Sequence, residues 1–440
     1  MRKFIASLDI GSSLIKLVVG EIVKNKINIL ACVDTPARGI KKGYVINGES
    51  ATEAFLEVFK KAENILGIPV KKVISTIPAT YSECFLSSGT IAVSGEDKVI
   101  RNADIVKAMQ KCVYNKVMDN KELVTVLPTG FKINEEIVNN PINMIAEKLT
   151  MKAVVVTVPK KNIEGIAACL KNIGVELIDI VISPLGDYFE NKTKELNKNI
   201  GALINIGEET TTVSIFNRGI LTNLEVIDIG GDAINSDLSY VYKISKEDAK
   251  FLKEHLALAH TRLAQPNESL TFTDKHGEKV KINQYDASEI VMGRLTEIIN
   301  LSKKQINLLT KKEISYIILT GGVTESQDFD ILSEELFGNL GMIGNVEEIG
   351  ARSNIYSTAV GMIKYYNSRL KLRNVEFSIF NLEEQEELGG MDKRVNIPEN
   401  SVLGKLFGYF LIIKERNTYE WITNGSNRKN KSNRLWWRRL

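Results

Sequence analysis

The chain is short of the residues from which most catalytic and metal centres are built. It has three histidines, two of them at His255 and His260, which leaves little for a histidine-rich centre. Its four cysteines, Cys32, Cys84, Cys112 and Cys169, are far apart with no CxxC pair. That spacing points to reduced thiols in a cytoplasm, away from a disulfide scaffold or a zinc site. No run approaches the roughly 20 apolar residues of a membrane-spanning helix, and the longest candidate, Leu406 to Ile413, is far too short. Met1-Arg2-Lys3 leads directly into an apolar run, so no secretory leader is expected. The net charge of +3 is nearly balanced, so no nucleic-acid partner is expected, and much of the excess sits near the C-terminus. What remains is a 440-residue chain, 44% hydrophobic and 25% charged, ample for two or more globular domains.

The organising stretch is Phe4 to Gly20. A short apolar run ends at Asp9, turns through Gly11-Ser12-Ser13 and re-enters an apolar run from Leu14 to Val19. This predicts a β-hairpin around a small-residue turn. Successive backbone N–H groups and two hydroxyls there can wrap an anion, Lys16 adds a point charge, and Asp9 can hold Mg²⁺ through water. Any hairpin with small residues would share the pattern, but the chain repeats it. In Asn199 to Phe216 an apolar strand reaches Asn205, then Gly207, a short turn, Thr210, Thr211 and Thr212, and a second apolar strand. A third glycine turn, Ile317 to Val323, follows another buried strand. A dinucleotide fingerprint would place its glycines between strand and helix, so that fold is excluded.

These three motifs, in order and spacing, resemble the phosphate-1, phosphate-2 and adenosine motifs of the actin/Hsp70/sugar-kinase ATPase superfamily. Within it the chain is similar to the FtsA family of bacterial actin-like cell-division proteins. Ala37 to Val45, Ile229 to Leu238, Ile317 to Val323 and Tyr356 to Gly361 carry the additional likeness. The resemblance covers roughly residues 1–370, with a short return near 400. It implies an α/β fold: an actin-like two-domain ATPase fold with an inserted α+β subdomain and a C-terminal amphipathic helix. The implied division is 1–82 as subdomain IA, 83–158 as inserted subdomain IC, 159–195 as IA again, 196–230 as IIA and 231–300 as IIB. It continues with 301–350 as IIA, 351–370 as the end of IA, 371–398 as a linker, 399–414 as the helix and 415–440 as an atypical basic tail.

The periodicity supports this order. Ala51, Ala54, Phe55, Val58, Phe59, Ala62, Ile65 and Leu66 predict a helix over 49–67, stopped by Gly67 and Pro69. Within 83–158, Ser87–Val93, Leu123–Ile133 and Met151–Val158 read as strands and Ala103–Asn115 as a helix; an interaction surface is expected there. Residues 191–199 read as a polar bridge, 264–285 as a hairpin across His276-Gly277, and 286–309 as a long helix.

Carried over by position, the resemblance implies that Asp9, Gly11, Ser12, Ser13 and Lys16 form one phosphate loop, with Asp9 near the metal. Asn205, Gly207, Thr210 and Thr211 form the other. Gly230, Gly231, Gly321, Gly322 and Val323 border the adenosine, and Lys253 matches a lysine near the adenine. ATP and Mg²⁺ are the implied ligands. Two departures bear on turnover. The superfamily's Asp-x-Gly-Gly-Gly-Thr is here Asn205-Ile-Gly-Glu-Glu-Thr210, with Asn for Asp and two glutamates for two glycines. Separately, the acidic neighbour of the adenine lysine aligns with Lys250, which leaves Lys253 as an adenine contact or a solvated helix lysine. An amide replaces a carboxylate, and Glu208 and Glu209 bring negative charge beside the terminal phosphate. Binding with weak or no hydrolysis is therefore expected.

Near the C-terminus, Leu403, Leu406, Phe407 and Phe410 recur at i, i+3, i+4 and i+7, a face suited to lying in a membrane surface or to packing back on the core. The family resemblance favours the membrane. It implies a peripheral protein on the cytoplasmic side of the cell membrane, at the division septum. It also implies self-assembly into filaments, docking of the FtsZ C-terminal peptide, and contact with membrane lipids and other divisome proteins. Arg294 is a candidate for the peptide contact, or else a solvated arginine. The alternatives are an ATP-hydrolysing enzyme of the superfamily (a kinase or chaperone-type ATPase) and a pilus-assembly actin-like scaffold. Trp436-Trp437 must read Gly-Gly in the next frame. With permissive codons, Arg428 to Leu440 then resembles the start of FtsZ, so an overlapping frame or a frameshift is expected to underlie the tail.

Overall fold

The computed structural model describes residues 2–24 and 26–391. Residues up to Asn381 form one unit and those from Leu382 belong to a second. The helix expected at 399–414, with Leu403, Leu406, Phe407 and Phe410, and the tail at 415–440 lie outside the described residues.

The chain opens with β1 (Lys3–Ile10), β2 (Leu14–Val23) and β3 (Lys26–Pro36), a small hairpin of β4 (Ile40–Lys41) and β5 (Tyr44–Val45), α1 (Gly48–Leu66) and β6 (Lys72–Thr76). An insertion follows: β7 (Glu83–Ala92), α2 (Asn102–Val113), β8 (Lys121–Ile133), β9 (Glu136–Val138) and β10 (Lys148–Pro159). The first domain resumes with α3 (Lys161–Asn172) and β11 (Glu176–Val181), and α4 (Ser183–Asn191) leads out of it. The second comprises β12 (Ile200–Ile206), β13 (Thr211–Asn217), β14 (Ile220–Ile227), α5 (Gly231–Tyr242), α6 (Lys246–His255), β15 (Ser269–Thr273), β16 (Lys279–Asn283), α7 (Gln284–Leu309), β17 (Tyr316–Thr320), α8 (Phe329–Phe337) and β18 (Gly341–Ile343). Then come α9 (Ser357–Arg373) and α10 (Leu382–Met391).

The two domains are built to one plan. The first sheet has the order β11-β6-β1-β2-β3, the second β14-β13-β12-β17-β18. In each, three consecutive strands meander antiparallel, and two further strands join parallel beside the first of them. Parallel additions need helical crossovers, so helices cover the sheets. That cover explains why β1 reads as an almost unbroken apolar run: Phe4 to Ile10 are all buried. The insertion is its own layer, a sheet of order β7-β10-β8-β9 with α2 packed on it. Its core includes Ile105, Ala108, Met109, Leu149, Met151 and Val155.

The helix predicted over 49–67 is α1. Asn47 caps its start by accepting from the Ser50 amide at 3.1 Å, and Gly67 ends it at φ +73. Ile65, placed in its apolar stripe by the sequence reading, is 54% exposed. Neighbours on a helix lie about 100° apart, and Leu66 takes the core side. The hairpin at 264–285 is present as β15–β16. The long helix is present as α7, which runs unbroken through residue 300.

Two stretches differ from the expectation. The bridge at 191–199 is preceded by α4, which the sequence reading did not assign, and contains a helical turn at Leu196–Lys198. The linker expected over 371–398 is not structureless in its described part. The α9 helix runs to Arg373, and the Ile379 amide donates to the Phe4 carbonyl at 3.0 Å. Phe380 stacks edge-on against Phe4 with centroids 5.6 Å apart, and a ten-residue helix, α10, follows. The acidic run from Glu383 hid that helix, because it carries no apolar stripe for periodicity to detect.

Candidate functional site

The β1–β2 turn and the β12–β13 turn line the same cleft, a cavity of about 530 Å³. It gathers Asp9, Gly11, Ser12, Ser13 and Lys16 from one side, and Asn205, Gly207, Thr210 and Lys253 from the other. Gly321, Gly322 and Val323, after β17, complete the wall. Three further expected residues stand behind it. Thr211 is fully buried, and its hydroxyl donates to the Ile229 carbonyl at 2.8 Å. Gly230 and Gly231 open α5 against the back of the second turn, where the Gly231 and Asp232 amides donate to the Gly207 and Glu208 carbonyls at 2.9 and 2.7 Å.

Each turn is shaped by backbone bonds. The Gly11 amide donates to the Leu14 carbonyl at 3.0 Å, and the Gly207 amide to the Thr210 carbonyl at 2.9 Å. Gly321 sits at φ +98, where a Cβ would also lie 2.9 Å from Asn205 Oδ1, so only glycine lets the backbone approach the second turn so closely.

The charged groups are already paired. Lys16 Nζ lies 2.6 Å from Asp9 Oδ2 and 3.0 Å from the Ile355 carbonyl; Thr76 donates to Asp9 Oδ1 at 3.2 Å. Glu208 accepts from Asn235 at 3.0 Å and lies 3.8 Å from the Lys253 ammonium, while Glu209 accepts from the Lys42 amide at 2.6 Å. The two glutamates that replace glycines therefore have specific partners. Burial holds the Lys253 ammonium below the ordinary lysine range, against the opposing pull of Glu208.

Sequence reasoning missed Asp187 on α4. This fully buried carboxylate accepts from Asn205 Nδ2 at 2.6 Å and from the Thr358 hydroxyl of α9 at 2.9 Å. Burial pushes its carboxyl up to about 6; the two donors oppose that, and the Asp9 charge reinforces it. Helix α4 crosses α9 where Gly186 meets Gly361, too close for any Cβ on Gly361. Helix α4 follows the last strand of the first sheet, β11, and α9 packs on β1 and β2 of that sheet. Asn354, also in the wall, is 5% exposed and its Oδ1 has no hydrogen-bond partner among the described residues. Arg294 is neither in the cleft nor free: its guanidinium forks onto Asp237 at 2.6 and 2.9 Å and reaches Glu297 at 2.5 Å.

A duplicated strand plan closing two phosphate-type turns on one cleft is an actin-like arrangement. Solved structures with this fold include the PilM-PilN type IV pilus biogenesis complex, with a TM-score of 0.54 and 15% identity, covering 82% of this chain and 98% of that one. Another is MreB5 of Spiroplasma citri bound to ADP, with a TM-score of 0.52 and 13% identity, covering 84% and 98%. The family model described as "Cell division protein FtsA" matches residues 202–361, and "SHS2 domain inserted in FTSA" matches residues 79–157. The chain belongs to the FtsA family. Among its FtsA relatives, "Cell division protein FtsA" of Bacillus subtilis (strain 168) is 28% identical over 379 residues, 85% of this chain and 86% of that protein. That of Enterococcus hirae is 26% identical over 363 residues, 81% and 82%. The SHS2 match coincides with the insertion β7–β10.

Proposed function

We propose that this cell-division protein is a nucleotide-dependent membrane scaffold. It binds ATP with Mg²⁺ in the cleft and assembles into filaments on the cytoplasmic face of the cell membrane at the septum. There it tethers FtsZ filaments through their C-terminal peptide, alongside other divisome proteins. The observation that carries the nucleotide reading is the convergence of both phosphate turns and the Gly321-Gly322 turn on one cleft.

The residues present fit the ligand. The turn amides and Lys16 suit phosphate, and the cleft-lining Asn354 carries a buried acceptor without a partner among the described residues. Among the described residues no three metal-ligating side chains come together. A Mg²⁺ here would take most of its oxygens from phosphate and water, with Asp9 as the protein carboxylate. When bound, the ion would neutralise charge on the phosphate oxygens. The nucleotide-bound MreB5 neighbours support the same reading of the fold.

Weak hydrolysis fits the pairing of the carboxylates. Asp9, Asp187, Glu208 and Glu209 are all engaged by protein donors or cations, and Asn205 supplies an amide in place of a carboxylate. Steady turnover in the range of about 1–100 s⁻¹ typical of kinases would contradict this. No helix among the described residues is long and apolar enough to cross a membrane. The test of the membrane role is co-sedimentation with anionic liposomes and ATP. The full chain is expected to pellet and a chain truncated after Asn396 to stay in solution; equal pelleting would mean that the terminal segment is not the anchor.

A further inference from the structure

Three elements meet at the mouth of the cleft: the β4–β5 hairpin tip, the first phosphate turn and the second. The two residues joining β4 to β5 are Lys42 at φ +50 and Gly43 at φ +78. Both are left-handed, as a tight two-residue hairpin turn requires, and a lysine adopts that conformation rarely. On one side the tip lies against the first domain beside the start of the first turn: a Cβ at Gly43 would stand 3.3 Å from the side chain of Pro78, just after β6, and 3.8 Å from the carbonyl oxygen of Ile10, the last residue of β1. On the other side Lys42 reaches the second domain twice. Its backbone N–H donates to Glu209 Oε2 at 2.6 Å, and its ammonium lies 3.0 Å from Asp228 Oδ2. Glu209 belongs to the second phosphate turn, and Asp228 follows β14.

We propose that Glu209 and Lys42 are positioning residues that clasp the β4–β5 tip to the second phosphate turn, holding both turns at their closed separation around a bound nucleotide. This rests on the nucleotide reading above. The clasp is available because a glutamate stands where the superfamily pattern has glycine, which has no side chain to reach Lys42. Its two halves differ in kind. The amide–carboxylate bond is charge-assisted and short. The Lys42–Asp228 pair, 37% and 66% exposed, is the weaker and salt-screened half. A clasp of this sort acts on nucleotide escape more than on capture, because it must open before the ligand leaves.

The experiment is stopped-flow release of N-methylanthraniloyl-ATP, with Mg²⁺, from the full chain. Glu209→Ala is expected to release it about tenfold faster with little change in association, the scale of one charge-assisted bond. Glu209→Gln, which keeps an acceptor for the Lys42 amide, should stay within about threefold of wild type. Lys42→Glu should speed release at low salt, and adding Asp228→Lys should restore it. Asp228 is exposed whereas Lys42 and Glu209 are half-buried, so urea midpoints of the variants are read alongside the release rates to separate loss of the clasp from loss of folding. If the wild type binds the probe and Glu209→Ala releases it at the wild-type rate, the clasp is refuted and the nucleotide reading stands. If the wild type does not bind the probe at all, both are refuted.

Discussion

Restoring the superfamily's aspartate, Asn205→Asp, would place a carboxyl against the buried carboxyl of Asp187. In the native protein Asn205 Nδ2 donates to Asp187 at 2.6 Å, and Thr358 donates to its other oxygen at 2.9 Å. The substitution removes a hydrogen bond to a charged group, a loss of about 1.5–3 kcal/mol. Two charges about 4 Å apart would also repel by ~4 kcal/mol at an effective dielectric of about 20. The pair avoids most of that by binding one proton, at a cost of ~1.4 kcal/mol for each unit by which pH exceeds its apparent pKa. With Asp187 already raised to about 6 by burial, the second carboxyl raises the pair further. The expected destabilisation relative to wild type is therefore ~3–4 kcal/mol at about pH 8. It falls to ~1 kcal/mol at about pH 5.5, where a shared proton replaces the lost donor. Urea unfolding at both pH values, with midpoint and slope fitted separately, reads this difference. Equal destabilisation at the two pH values, or none at pH 8, would show that the two carboxyls do not share a proton.

The wild type should itself grow less stable as pH rises from about 4.5, above the unfolded carboxyl range, to about 8.5, with Asp187 contributing up to about pH 6 and Glu190 up to about pH 8. The folded-state carboxyls of Asp187 and Glu190 are raised to about 6 and about 8, both first of all by burial, so the native chain holds protons that the unfolded chain has released. Thermal unfolding across that range checks it, and Asp187→Asn should flatten the lower part of the slope. Gly361→Ala should destabilise by ~2–4 kcal/mol in urea unfolding, because the new methyl overlaps the Gly186 carbonyl and forces α4 from α9. Gly321→Ala should weaken nucleotide binding at least tenfold in a fluorescence titration, since position 321 needs φ +98 and close approach to the second turn.

The strands and turns of the cleft were legible because their signals are local: apolar runs that stop at Asp9 and Asn205, then glycines and hydroxyls. What was not legible depends on residues far apart in sequence. Asp187 acquires its role from Asn205 and from Thr358, 171 positions away on α9. Its helix α4 is nine residues long and contains Pro184 and Gly186, too short and too interrupted for periodicity to mark. The glutamates at 208 and 209 read as a charge problem beside phosphate, yet folding gives each a partner distant in sequence: Asn235 and Lys253 from α5 and α6 of the same domain for Glu208, and Lys42 from the first domain for Glu209. The segment after residue 371 read as a linker because its acidic run dominates, while the small apolar anchor Ile379-Phe380 gives no periodic signal.

Calorimetric titration of the full chain with ATP and Mg²⁺ tests nucleotide binding in the cleft most directly. The convergence of the three glycine turns on one cleft predicts saturable binding of one nucleotide per chain, abolished or at least tenfold weaker in Gly321→Ala. Absence of saturable binding by the wild type up to millimolar nucleotide would contradict it.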